Sequence, residues 1–142
     1  GIIASKRCNN VQVFNNEVYN NEKSGIYFHR GCDYSAAFGN YVHDNAHAGV
    51  SIMESQACMI HDNRFVNQHT GVRIILGGDY NMVFSNVFEN NTGKLYTLFL
   101  FSDVPWTTGG RSSDNAFYNN FVAGSLNGIR LSNGDYNTVR GE

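Results

Sequence analysis

The sequence predicts an all-β fold, a right-handed, single-stranded parallel β-helix of about six coils. Three observations predict it. A Gly-apolar-x-apolar segment recurs about every 23 residues, apolar residues alternate within each short segment, and an Asn marks the same corner of every unit. Alternation with a period of two indicates strands that bury one face. Repetition of the whole unit indicates a solenoid in which each coil stacks on the next.

The repeat period can be read from glycines and asparagines. The glycines that open the segments are Gly1, Gly25, Gly49, Gly71, Gly93 and Gly128. The corner asparagines are Asn16, Asn40, Asn63, Asn86 and Asn120. In both series the last interval is about a dozen residues longer than the others, which predicts an insertion near residues 102–113. We therefore predict one β-helix domain over residues 1–142. Because both ends lie inside a repeat, we expect it to be a piece of a longer chain.

The composition agrees with short strands and tight turns. Of the 142 residues, 15 are Gly, one is Pro and 13% are aromatic, whereas the common helix formers are sparse. A net charge of −2 gives no argument for a nucleic-acid or membrane partner, and no apolar run is long enough to cross a bilayer. A leucine-rich repeat, the main alternative solenoid, would need a Leu-x-x-Leu-x-Leu signature that is absent here.

Apolar columns define the predicted core, each at a fixed distance from the corner Asn or the Gly. They are Val18, Val42, Phe65, Phe88 and Val122; Val13, Ala37, Ile60, Val83 and Phe117; and Ile2, Ala4, Ile26, Phe28, Val50, Ile52, Val72, Ile74, Ile129 and Leu131. The corner asparagines are predicted to adopt left-handed backbone and to bond through their amides to the coils on either side.

The alternate positions of the Gly segments face outward and stack into columns. These columns are Ile3, Tyr27, Ser51, Arg73 and Arg130; then Ser5, His29, Met53, Ile75 and Ser132; then, at the strand ends, Lys6, Arg30, Glu54, Leu76 and Asn133. One face of the first coils therefore carries Lys6, Arg7, Tyr27, His29 and Arg30, with Glu54 and Arg73 further along. We predict substrate contacts here, because Arg and Lys pair with the carboxylates of an anionic polymer and Tyr offers a ring to a sugar. A plain solvated face is the alternative.

The other candidates are less specific. Trp106 and Arg111 lie in the insertion, where they form a lid or an extra sugar contact, or belong to a plain surface loop. The remaining histidines do not share one register, which argues against zinc; they are His43, His47, His61 and His69. We predict no metal and no cofactor, and the sequence gives no support for calcium. There is no nucleophile elbow, phosphate loop or HExxH motif, and paired carboxylates for a polygalacturonase-type hydrolase are missing from the groove.

Three segments resemble the mannuronan C5-epimerases of alginate synthesis, of the bacterial periplasmic and brown-algal type. They are Gly1-Ile2-Ile3-Ala4-Ser5-Lys6, Asn20-Asn21-Glu22-Lys23-Ser24-Gly25 and Gly49-Val50-Ser51-Ile52-Met53-Glu54-Ser55. The resemblance covers residues 1–91 and weakens over 93–142. Its specific part is the Gly-Ile-Ile-x-Ser-(Lys/Arg) strand followed one coil later by Ser-Gly-x-x-x-x-Arg.

The resemblance implies a pectate-lyase-like β-helix that acts on polymeric β-D-mannuronate. That family neutralises the uronate carboxylate, removes the C5 proton and reprotonates from the opposite face to give α-L-guluronate. Lys6 stands where the family has a neutralising Arg, with Arg7 beside it, so Lys6 and Arg7 are the implied catalytic residues. The family's proton-abstracting His, in an Asp-Pro-His-(Asp/Glu) motif, is absent, so this segment should bind the polymer without turning it over.

The implied partner is alginate or polymannuronate, and the implied location is secreted, at a cell wall, or periplasmic. We expect a monomer. Two alternatives remain open. A polysaccharide lyase on the same scaffold would release an unsaturated sugar that absorbs in the ultraviolet, and a non-catalytic carbohydrate-binding β-helix would lack the Asp-Pro-His motif upstream of Gly1.

The face assignment can be tested with Val42→Asp. We expect this substitution to lower the free energy of unfolding by several kcal/mol, because it buries a charge without a partner. Chemical denaturation measures the effect. Unchanged stability would show that Val42 does not point into the core.

Overall fold

The computed structural model describes residues 1–91, 98–101, 110–125 and 127–141. Seventeen β-strands lie in this part of the chain. They are β1 (Ile2–Ser5), β2 (Gln12–Phe14), β3 (Glu17–Tyr19), β4 (Ile26–His29), β5 (Ala36–Phe38), β6 (Tyr41–His43), β7 (Ala48–Met53), β8 (Met59–His61), β9 (Arg64–Val66), β10 (Thr70–Ile75), β11 (Met82–Phe84), β12 (Val87–Glu89), β13 (Leu98–Phe101), β14 (Ala116–Tyr118), β15 (Phe121–Ala123), β16 (Ile129–Ser132) and β17 (Thr138–Arg140).

Each coil contributes one strand to each of three parallel sheets. Sheet A has the order β1-β4-β7-β10-β13-β16, sheet B β17-β14-β11-β8-β5-β2 and sheet C β15-β12-β9-β6-β3. Five coils have all three strands and a sixth has two, so the predicted right-handed parallel β-helix is confirmed. The described ranges contain no helix that could span a membrane.

The predicted core columns are confirmed by burial. Neighbouring coils pair residue for residue, as in Ile2 with Ile26 and Ile26 with Val50, so the inward positions form one continuous apolar cluster. Ile2, Val122 and Ile129 are only partly buried. Leu131 departs from the prediction because it is 40% exposed. It lies on β16, an edge strand of sheet A that has a neighbouring strand on one side only.

Gly93, which was predicted to open the fifth segment of the glycine column, lies outside the described residues. Val72 pairs with Leu98, 26 positions further along the chain. Gly128 keeps its predicted place, because Ile129 pairs with Leu98. Extra residues therefore lie on both sides of β13. Spacing alone could not divide them, because a corner accepts added residues without changing the strand register.

The corner asparagines form the predicted ladder. The Asn16 backbone N–H and side-chain amide both donate to Asn40 Oδ1, at 3.0 Å each, and the pattern repeats from Asn40 to Asn63 and beyond. The predicted left-handed conformation belongs instead to the residue before each of them. These residues, with positive φ, are Asn15, Gly39, Asp62, Ser85 and Asn119. The turn needs one left-handed residue, and the ladder needs the next side chain to point inward.

The glycine column exists because backbone and core pack closely at the start of sheet A. A Cβ at Gly49 would meet the Phe65 ring and, at 2.7 Å, the Gly71 carbonyl oxygen. A Cβ at Gly25 would lie 2.9 Å from a Val42 methyl carbon. Neither glycine has a positive φ. Glycine is therefore required here because sheets A and C approach each other closely, and not because the backbone forms a turn.

Gly49→Ala tests this packing. We expect it to lower the free energy of unfolding by about 1–3 kcal/mol, because the added methyl group overpacks the contact with Phe65. The matched control is Gly110→Ala, since no atom of the described residues lies within 4 Å of a Cβ at Gly110. Urea denaturation of both variants measures the difference. Equal stabilities would contradict the explanation of the glycine column.

Candidate functional site

The outer face of sheet A brings most of the predicted site residues together. Ile3 pairs with Tyr27, Tyr27 with Ser51, and Ser51 with Arg73. Ser5 pairs with His29 in the next outward column. The predicted columns are therefore confirmed as neighbours. The face is bounded by two corners. The end corner joins sheet A to sheet B, and the start corner joins sheet C to sheet A.

Cations are concentrated at the end corner of the first coils. Lys6, Arg7, Arg30 and Glu54 have φ values of 62°, 67°, 60° and 50°, so this corner is a left-handed turn in each coil. Backbone hydrogen bonds hold the turns of adjacent coils together. Lys6 N–H donates to the His29 carbonyl at 3.1 Å, and Arg7 N–H donates to the Arg30 carbonyl at 3.0 Å. The side chains of Lys6 and Arg7 point into solvent.

Only part of this positive charge is compensated within the protein. Arg30 Nε lies 3.8 Å from Glu54 Oε2, and the two side chains are 58% and 37% exposed. Such an exposed pair contributes little to stability. Lys6 and Arg7 have no ion pair with any described residue. The end corner therefore presents two adjacent uncompensated cations.

The middle of the face is a closed hydrogen-bonded group. Arg73 Nε donates to Ser51 Oγ at 2.8 Å, and the Tyr27 hydroxyl contacts both Ser51 and Arg73. Ser51 is completely buried beneath its neighbours. Burial raises the pKa of the Tyr27 phenol, with Arg73 opposing, and burial lowers the pKa of the Arg73 guanidinium, which nonetheless remains charged at neutral pH.

His29 is the polar group that this face leaves unsatisfied. Its ring stacks on Tyr27 with centroids 4.9 Å apart, so one face of the tyrosine ring is covered and unavailable to a sugar. Nε2 of His29 is buried without a hydrogen-bond partner among the described residues. Burial first, and then Arg30, lowers the pKa of His29 below its ordinary 6.5. The ring is therefore neutral at pH 7.

The structure describes only one of the two predicted site residues in the insertion, Arg111. Trp106 lies outside the described residues, as does most of the proposed lid. Arg111 lies between β13 and β14, and so at the end corner, several coils from Arg7. Its Nη1 forms an ion pair with Asp135 Oδ2, so its charge is compensated.

A column of basic side chains at the start corner was not predicted. Lys23, His47 and His69 each precede the register of a Gly by two residues. The rings of His47 and His69 stack with centroids 6.2 Å apart at an angle of 20°. The four remaining histidines do not share one register, as predicted, but His47 and His69 do share one. Counting back two residues from Gly25, Gly49 and Gly71 would have found the column.

On the outer faces of sheets B and C, several described side chains bond to or stack on one another. On sheet C, His43 binds Asp44 Oδ2 through Nδ1 at 2.6 Å and Glu17 Oε1 through Nε2 at 3.2 Å. Its ring also stacks on Tyr19 and Tyr41. On sheet B, Phe14, Phe38, His61, Phe84 and Tyr118 form a continuous stack with centroids about 5 Å apart. Rings stacked in this way present mainly their edges to solvent.

A cavity of about 500 Å³ at the corner between sheets B and C has no unsatisfied charge among its described lining groups. Arg64, one of its lining residues, lies 2.7 Å from Glu89 and covers the Tyr41 ring. Asp62 binds His61 at 2.7 Å. The cavity is wide open to solvent and lies far from the cations of sheet A. We therefore place the candidate site on sheet A.

Comparison with known proteins gives a family and a fold. A family model described as periplasmic copper-binding protein (NosD) matches residues 1–112. No curated protein matches the chain. The crystal structure of the periplasmic alginate epimerase AlgG superposes with a TM-score of 0.74 at 19% identity, over 98% of this chain and 36% of that one. A singly and a doubly substituted variant of AlgG give TM-scores of 0.79 and 0.76 at 20% identity, each over 99% of this chain and 36% of the other.

These comparisons show the β-helix independently of the repeat pattern. At such low identity, the likeness to AlgG establishes the fold alone. The chain spans about a third of the length of those solved structures.

The His43 arrangement makes stability depend on pH. The hydrogen bond to Asp44 is the main cause that raises the pKa of His43 above 6.5, and the same bond lowers the pKa of Asp44 below 3.8. Because the folded state holds the His43 proton more tightly, its contribution is complete below pH 6.5 and is lost as pH rises through the folded pKa. The Asp44 contribution is lost as pH falls through its own folded pKa.

We therefore expect the urea concentration at the midpoint of unfolding to decrease as the pH is raised from about 6 to about 8.5. The substitution His43→Gln should make this decrease smaller. His61→Gln is the control, because His61 binds Asp62 but contacts no second carboxylate in the described chain. A pH profile that is the same in wild type and His43→Gln would contradict the assignment.

Proposed function

Because the chain belongs to the family of periplasmic copper-binding proteins (NosD) and has the fold of a periplasmic alginate epimerase, we propose that it binds a polyuronate along sheet A. We further propose that it serves the C5-epimerisation of β-D-mannuronate to α-L-guluronate in alginate. The observation that carries this proposal is the pair of exposed, uncompensated cations, Lys6 and Arg7, at the end corner.

Copper, which the family description names, does not fit the residues described here. Among them there is no group of three or more His, Cys, Asp or Glu side chains placed to hold a metal ion. Burial raises the pKa of the Cys58 thiol to about 12, whereas a metal-binding cysteine must lose its proton. Both ring nitrogens of His43 are already bonded. No step of the proposed reaction therefore involves copper.

The repeat geometry favours a polymeric anion. Coils stack about 4.8 Å apart, so the side chains of one corner recur at a regular interval along the axis, as carboxylates recur along a polyuronate. Charge-assisted hydrogen bonds from Lys or Arg to carboxylates are the strongest neutral-pH contacts available to such a surface. Arg30 lies one coil below Lys6, and Glu54 limits its net charge.

The same cations supply the electrostatic part of the chemistry. Removing the C5 proton of a uronate places negative charge beside an existing carboxylate, so the carboxylate must be neutralised for the step to proceed. Lys6 stands where the resembling family has an Arg, and it provides a point charge and not a planar fork. Arg7 follows in a second left-handed position and can supply the bidentate contact. We propose that the two share this role.

We do not propose any residue of this chain as the group that removes the C5 proton. The Asp-Pro-His motif is absent from the sequence. His29 has a neutral ring, but the nitrogen without a partner is buried, so we propose His29 as a substrate contact together with Tyr27, Arg30, Glu54 and Arg73. We also propose a periplasmic location, in line with the family description and with the printed description of AlgG as periplasmic. We propose, in addition, a single β-helix domain and a monomer.

The double variant Lys6→Ala/Arg7→Ala tests this function in the full-length protein. We expect binding of a mannuronate oligomer to weaken about tenfold and exchange of the C5 proton with D₂O to fall at least a hundredfold, because the uronate carboxylate is no longer neutralised. Calorimetry and NMR measure the two effects. An ultraviolet-absorbing product from the wild type would identify a lyase instead.

The matched control is Arg64→Ala/Arg140→Ala. It removes the same charge from sheets C and B, away from the proposed groove. Both double variants should keep the wild-type circular dichroism. If the control weakens binding as much as Lys6→Ala/Arg7→Ala does, the end corner is not the binding site.

A further inference from the structure

We propose that Lys23, His47 and His69 form a second carboxylate-binding site, at the start corner of sheet A, whose affinity for a polyuronate rises as the medium becomes more acidic. This start-corner site rests on the proposed function, because it binds the same polymer as the end corner. It adds a second contact region and a dependence on pH.

The three side chains are held in one column by the strand register. Thr70 pairs with Ala48, and the Thr70 N–H donates to the His47 carbonyl at 3.0 Å. The preceding coil is fixed by the bond from Gly25 N–H to the Ala48 carbonyl at 2.9 Å. His47 and His69 therefore stack as neighbours, with Lys23 one coil away. The corner is accessible, because Lys23 and His47 are exposed and His69 is half-buried.

The charged groups that face His47 are all basic. They are Arg73 on β10, His69 in the following coil and Lys23 in the preceding coil. Burial first, and then these three groups, lowers the pKa of His47 below 6.5. No described carboxylate forms an ion pair with Lys23, His47 or His69. His43, in contrast, is bonded to two carboxylates of the protein.

The start corner has no carboxylate of the described protein to balance its basic side chains, and a polyuronate can supply one. A carboxylate placed between Lys23, His47 and Arg73 would offset the repulsion among them, and would thereby favour protonation of His47. By linkage, a ligand that favours the protonated form binds more tightly as pH falls through the pKa of the free protein. The expected direction is stronger binding on the acidic side of neutrality.

The two corners lie too far apart for one sugar to reach both. Six residues separate Lys23 from Arg30, four of them in strand β4, so the two residues are at most about 23 Å apart along the chain. An oligomer that is long enough to follow one corner along the axis and then to cross the face can contact both corners, and each contact then raises the effective concentration for the other. The start-corner site therefore acts on oligomers and polymers, while Lys6 and Arg7 act at the end corner.

The test compares oligomannuronate binding at pH 7.5 and pH 5.5 by calorimetry, at constant ionic strength. For the wild type we expect the dissociation constant to fall about fivefold to tenfold on acidification. His47→Gln/His69→Gln should reduce this ratio to less than about twofold. Lys6→Ala/Arg7→Ala should weaken binding at both pH values and keep the ratio. His61→Gln, a histidine change on sheet B, should leave both affinity and ratio unchanged.

A second variant covers the case in which the double histidine variant does not fold. Lys23→Gln changes one exposed side chain and should weaken binding about threefold at both pH values. Oligogalacturonate is the second probe. Two results would overturn the start-corner site and leave the proposed function standing. One is that oligomannuronate binds and the ratio of its dissociation constants at the two pH values is unchanged in His47→Gln/His69→Gln. The other is that Lys23→Gln binds with wild-type affinity.

Other outcomes would contradict the proposed function. If oligomannuronate fails to bind but oligogalacturonate binds with a ratio that depends on the histidines, the start-corner site is supported and alginate is wrong. If neither oligomer binds at either pH, both proposals are overturned.

Discussion

The structure depends on one constraint, the hydrogen bonding of each coil to the same positions of the next coil. Backbone bonds link consecutive coils at corners as well as in strands, and the asparagine ladder adds side-chain bonds at the corner between sheets B and C. Because these amides are buried, a coil that slipped by one residue would leave several of them without partners, at a cost of about 1–3 kcal/mol each. Register is therefore strongly specified, and equivalent side chains stack.

Stacking has an electrostatic consequence. Side chains of one sign in the same column lie within about 5 Å of each other and repel. Among the described residues, three Arg–carboxylate pairs join adjacent coils, Arg30 with Glu54, Arg64 with Glu89 and Arg111 with Asp135. Lys6 and Arg7 at the end corner and Lys23 at the start corner have no ion pair within the described part of the chain. Uncompensated cations on a rigid scaffold cost stability, and a ligand of opposite charge is a physical reason for keeping them.

The β-helix itself carries no chemistry, since one coil geometry serves a family described by copper binding and a solved epimerase. What distinguishes this chain is the choice of side chains in four or five outward columns. The faces of sheets B and C use several of them for stacks of rings and for ion pairs between side chains. The third face leaves cations open to solvent.

Sequence alone determined the strands, the core columns and the columns of the outer face, because a fixed period and a strict register convert spacing into position. It placed Lys6 above Arg30 and Tyr27 beside Ser51. Tertiary structure decided what the period cannot encode. It divided the insertion around β13 and moved the left-handed residue to the position before each corner Asn. It also turned Tyr27 toward Arg73 and His29, because side-chain direction and corner geometry follow from packing between coils and not from spacing along the chain.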